Sequence, residues 1–140
     1  MTRVKIYADQ IGTTKGNTMS NSEDKQLKLI EKLMFCTGTE HYYTNKNLAF
    51  EYTDGVKIFC NIAEAYWLLD IVNSVIKTKQ EMNNGLINII LQVKKDRTAK
   101  ITFRERIKFI YEQKIPFTDC PCGIWKFYFR DGVFFWKGEY

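Results

Sequence analysis

A chain of 140 residues, 45% hydrophobic and 15% aromatic, has more apolar surface to bury than a disordered segment offers, and its length suits one domain with a sizeable core. Its apolar runs, such as Ile89-Ile90-Leu91, fall far short of the roughly 18 residues of a membrane span. The net charge of +5 is localised: residues 94–126 hold nine basic and four acidic side chains, whereas 1–93 hold ten of each and 127–140 two of each.

Residues 1–22 are polar apart from "VKIYA" (4–8) and read as an N-terminal extension ahead of a domain over 23–140. The start lacks the apolar segment of a secretory signal, so a cytoplasmic, reducing setting is expected and Cys36, Cys60, Cys120 and Cys122 read as thiols. From Ser22, a cap residue followed by Glu23 and Asp24, the positions Leu27, Ile30, Leu33 and Met34 recur at helical spacing. A first helix to about Cys36 follows, with Gly38 as its stop. "LAFEYT" (48–53) and "VKIFC" (56–60) flank Asp54-Gly55, which predicts a hairpin with a type I′ turn. A second helix, with a broad apolar stripe including Tyr66, Leu69, Val72 and Ile76, is expected from Ala63 to Lys77.

Beyond Asn83-Asn84-Gly85 the chain reads as strands: 86–95, 99–103, 107–117, 124–130 and 133–136, joined by short turns at Asp96-Arg97, 104–106 and Asp131-Gly132. Phe109, Tyr111, Gln113, Ile115 and Phe117 alternate with Lys108, Glu112, Lys114 and Pro116, which predicts a core face for Phe109 and Tyr111 and a solvated face for the cations. The fold class is α+β, a curved antiparallel sheet of hairpin plus C-terminal meander with two helices packed on one face.

Little in the sequence carries recognisable catalytic chemistry. The Cys120-Pro121-Cys122 pair, with Cys36, Cys60 and His41, matches neither the paired C-x2–4-C knuckles nor the H-x3–5-H spacing of a structural zinc site, so no metal or cofactor is expected. His41 is the single histidine, and no residue is placed near it by spacing alone. Asp54 and Asp119 sit in Thr-Asp turn contexts that favour an Asx role. Phosphate-loop, H-E-x-x-H and G-x-S-x-G motifs do not occur.

The segments "CTGTEHYY" (36–43), "YTDGVKIF" (52–59), "AYWLLDIVNS" (65–74), "IPFTDCP" (115–121) and the closing "EY" (139–140) resemble an uncharacterised bacterial and phage family marked by TGT, YTDG and AYWLLD motifs, over about residues 27–140. The resemblance carries no assigned activity. It implies a setting among small proteins of phages and mobile elements, and this chain departs from the pattern in its N-terminal extension, its short 104–106 turn and its cysteines at 120 and 122.

Charge placement and that setting lead to a first reading: a non-enzymatic binding protein of phage or mobile-element type, such as an anti-defence (anti-CRISPR-like) inhibitor of a host nuclease or RNA-guided complex. Its contacts to a host protein or ribonucleoprotein, or to RNA or DNA directly, would come from Lys94, Lys95, Arg97, Lys100, Arg104, Arg106, Lys108 and Lys114. Trp125 and Trp136 would serve as partner-binding aromatics, and a homodimer stays open. The alternatives are a general RNA- or DNA-binding accessory protein and a small enzyme using His41. No membrane partner is expected.

Overall fold

The computed structural model describes residues 21–140, so the N-terminal extension expected at 1–22 lies almost wholly outside the described residues. Helix α1 spans Asn21–Met34, with Glu23 and Asp24 in its first turn where carboxylates favour the helix dipole. It starts one residue before Ser22, which therefore falls within the first turn, and it tightens at its end through i→i−3 bonds from Phe35 and Cys36 to Lys32 and Leu33.

The largest difference from the sequence reading lies at Asp54-Gly55. Instead of a turn between two strands, a short strand β2 (Glu51–Thr53) leads into helix α2 (Asp54–Ala63). Val56, Phe59, Cys60 and Ala63 fall at helical spacing and all are buried. The same stretch also alternates at Val56, Ile58 and Cys60, and a short apolar run satisfies both periods. Glu64, in the left-handed conformation at φ 55°, ends α2, so helix α3 begins at Trp67 and runs to Thr78. The helices therefore number three among the described residues. None is long and apolar enough to cross a membrane.

The remaining strands are β1 (Tyr42–Tyr43), β3 (Ile87–Val93), β4 (Ala99–Glu105), β5 (Lys108–Ile115), β6 (Gly123–Arg130) and β7 (Val133–Trp136). They form one curved sheet in the order β1-β2-β7-β6-β3-β4-β5, antiparallel except at the β2–β7 pair. The α+β class and the curved, mostly antiparallel sheet are as read from the sequence, but the continuous C-terminal meander is not: β6 pairs with β3 rather than with β5, because the loop after β5 carries the chain back across the sheet. One face of the sheet, with Ile87, Ile89, Leu91, Ile101, Phe103, Phe127, Phe129 and Phe134, is buried against the helices. Phe59 of α2 sits at the centre, 5.0 Å from Phe127 and 5.6 Å from Trp125 between ring centroids.

A register shift between Phe103 and Arg104 corrects a second expectation. Such a bulge turns the strand over by one residue. Tyr111 still opposes Phe103 and packs against the core, but Phe109 opposes Arg104 and is 53% exposed. Phe109 thus shares the outer face with the cations. β5 is an edge strand of the sheet, and its lysines, this bulge and the following Pro116 protect it from pairing with another chain.

Candidate functional site: a basic outer sheet face

Four of the eight basic residues singled out in the sequence lie on the side of β3–β5 that faces away from the described helices. Lys100 pairs across the ladder with Lys114 on one side and with Gln92 on the other, and Lys94 follows Gln92 two residues on. These lysines and Thr98 line a concavity of about 670 Å³ whose described lining residues include no carboxylate, with Glu112 two residues from Lys114 on the same face. Arg104 lies farther along β4, its guanidinium 5.6 Å from the Phe109 ring centroid. Among the described residues none of Lys94, Lys100, Arg104 and Lys114 has an ion-pair partner.

The other four are dispersed. Arg97, at φ 72° in the β3–β4 turn beside the exposed Lys95, is held 3.2 Å from Asp119 and lies over Phe117. Arg106 occupies the β4–β5 turn with φ 55°, and Lys108 opposes Glu105 at the start of β5.

Trp125 and Trp136, expected as exposed contact aromatics, are buried. Trp125 donates its indole N–H to the Pro121 carbonyl at 3.0 Å, and Trp136 packs on Phe127. Strand alternation places both on the core face of β6 and β7. They border a separate groove of about 440 Å³ against Ile30, Leu33 and Met34 of α1, near the exposed Leu27 and Phe35.

A second cluster unites three distant motif segments at the N-terminus of α2. Asp54 accepts from the Glu40 N–H at 2.8 Å, the His41 N–H at 3.3 Å and the Tyr43 hydroxyl at 2.7 Å, while its own N–H donates to Thr39 Oγ1. Glu139 accepts from the Thr53 hydroxyl at 2.6 Å and from the Gly55 and Trp136 N–H groups, both at 2.9 Å. Burial pushes the Asp54 carboxyl up, but the Glu40, Tyr43, His41 and Thr39 hydrogen bonds outweigh it and hold it below its ordinary value. Glu139 goes the other way, raised chiefly by burial and in part by the Asp54 charge despite its three donors. Burial, then the Asp54 hydrogen bond, pushes the Tyr43 phenol up to about 12.

His41 Nδ1 stands 3.7 Å from Asp54, outside hydrogen-bond range. Burial raises the Cys60 and Cys120 thiols, which suppresses the thiolate that nucleophilic chemistry needs. Both carboxylates at α2 are engaged in tying the C-terminal residues 137–140 and the 39–43 segment to the helix. Among the described residues no group of three or more His, Cys, Asp or Glu is placed to hold a metal ion.

The Asp54 ties predict a stability effect. Asp54→Asn should cost about 1–2 kcal/mol at neutral pH, since it removes charge-assisted hydrogen bonds from a group with little solvent access. A carboxyl whose folded pKa is depressed contributes stability above its unfolded pKa and loses it as pH falls. The gap between the wild type and Asp54→Asn should therefore shrink in urea titrations below about pH 4.

The chain matches the model of a family described as "Family of unknown function (DUF6876)" over residues 27–140. It belongs to this family. No curated protein and no solved structure matches it. The matched span takes in the second half of α1, the α2 clasp, the basic face and both tryptophans. Sequence reasoning missed Lys126, Tyr128 and Phe135 as outer-face residues. The alternation of "GIWKFYFR" and "VFFW" was the available signal: Trp125, Phe127, Phe129, Phe134 and Trp136 go inward, so Ile124, Lys126, Tyr128, Val133 and Phe135 face out.

Proposed function

We propose that the protein is a non-enzymatic binding protein that engages nucleic acid through the outer face of β3–β5. The observation that carries this reading is Lys100 directly opposite Lys114, with Lys94 beside them and, among the described residues, no carboxylate lining the concavity they share. Like charges directly opposite on a sheet destabilise it, and a bound phosphate relieves that repulsion while gaining all three cations. Burial of Trp125 and Trp136 removes the aromatic anchors on which a protein-directed reading of this face relied. A protein partner remains the second reading, supported by the groove between α1 and the tryptophans and by the exposed Leu27, Met34 and Phe35.

In the phage or mobile-element setting that the motif resemblance implies, such a protein would inhibit a host nuclease or RNA-guided complex by covering its nucleic acid. Affinity for an RNA oligonucleotide should fall with salt at a log–log slope of about −2, given about −0.7 for each of three phosphate contacts on a single strand. A slope near zero, or no binding at low salt, would remove the reading.

A further inference from the structure

A single row of side chains crosses the outer face over five strands, from β7 to the edge strand β5. Phe135 of β7 opposes Tyr128 of β6, Tyr128 opposes Asn88 of β3, Asn88 opposes Arg104 of β4, and Arg104 opposes Phe109 of β5. At about 4.8 Å per strand the row is about 19 Å long. Each end carries aromatic rings. At one, Tyr140 stacks parallel on Phe135, with centroids 6.0 Å apart and planes at 8°, and closes a triad with Tyr128 at 5.2 Å. Tyr140 is 70% exposed. At the other, Phe109 lies half exposed under the Arg104 guanidinium. Between them the Asn88 amide is half-buried, and among the described residues it has no hydrogen-bond partner.

Rings at both ends, an unengaged amide and a guanidinium between them, and phosphate-sized positive charge alongside are the components of a surface for unpaired bases. Phe109 and Tyr140 stand exposed on this face, and among the described residues Lys94, Lys100 and Lys114 form no ion pair, with Glu112 the acidic side chain nearest to them in register. Duplex bases are stacked inside their helix and cannot reach such rings. We infer that this row is a stacking platform for single-stranded nucleic acid, with Tyr140 and Phe109 as the two base-contacting rings and Asn88 and Arg104 reading base edges between them. The inference rests on the nucleic-acid reading above and adds which form of nucleic acid is taken.

The test compares oligouridine, oligothymidine, a duplex of equal phosphate count and heparin by fluorescence anisotropy, against the wild type, Tyr140→Ala, Phe109→Ala and Phe109→Tyr. Both single strands should bind more tightly than the duplex. Each alanine variant should weaken single-strand binding by on the order of tenfold, as loss of one stacked base does, with the salt slope unchanged because no charge is removed. Phe109→Tyr should retain binding. Both truncated rings are solvent-exposed, and an unchanged melting temperature would confirm an intact fold. Duplex binding as tight as single-strand binding, or alanine variants that bind like the wild type, would overturn the platform and leave the basic-face reading standing. If no nucleic acid and no heparin binds, both fall.

Discussion

Lys114→Glu should weaken nucleic-acid binding about tenfold or more while making the fold slightly more stable. The two effects have one cause. In the wild type Lys114 stands directly across the ladder from Lys100, an arrangement that costs stability with no ligand present, and an opposite-charge pair at the same register contributes roughly 0.2–1 kcal/mol. The substituted pair is partly solvated, which puts the gain at the low end of that range. Binding loses one phosphate contact and acquires an anion directly opposite Lys100, so the salt slope should shrink by about one as well. Lys114→Gln removes the repulsion without adding negative charge and should fall between the two in both measurements. Affinity should thus rank wild type, Gln, Glu, and urea midpoints should rank in the reverse order. A set in which affinity does not move would show that the lysines are a solvated face and nothing more.

How far the sequence led depended on how many periods each segment could satisfy. The strands from 86 to 136 were legible because their alternation is long and their turns short, and the sheet's core face follows from Ile87, Ile89, Leu91 and Phe127. The Asp54-Gly55 hairpin was not borne out, since eight apolar-rich residues fit both a strand and a helix. What selects the helix is distant: Glu139 brings its carboxylate to the first turn of α2 from 84 residues away in the chain. Phe109 illustrates a different limit. It was read as sharing the core face with Tyr111, but a one-residue bulge opposite Phe103 and Arg104 turned it to the outer face, and nothing local announces such a bulge. The tryptophans failed for a simpler reason, because Trp125 and Trp136 were assigned to a partner without sorting "GIWKFYFR" and "VFFW" by parity.

Gly55→Ala should destabilise the protein by about 2–4 kcal/mol, against the ordinary expectation for a glycine inside a helix. Alanine is the better helix former by about 1 kcal/mol, so the intrinsic term favours the variant. The space does not. A Cβ at residue 55 would lie 2.8 Å from the Glu139 Cδ and Oε1 atoms and 2.8 Å from the Trp136 Cβ. The carboxylate could swing away, but the Trp136 Cβ is fixed by the end of β7. Displacing Glu139 surrenders the bonds it accepts from Thr53, Gly55 and Trp136, each charge-assisted and worth about 1.5–3 kcal/mol when made, with water recovering part. The loss exceeds the propensity gain. Glycine in the Thr-Asp-Gly segment therefore serves close approach of the C-terminal residues, where the sequence suggested a turn. A companion measurement isolates the carboxylate. Because burial raises the folded pKa of Glu139, its contribution is fullest below its unfolded value of about 4.3 and is lost as pH rises through the folded one. The stability gap between the wild type and Glu139→Gln should accordingly narrow as pH rises from the acid side, opposite in sign to the Asp54→Asn gap. Gly55→Ala melting at or above the wild-type temperature would mean that the C-terminal residues are not held against α2 as this geometry requires.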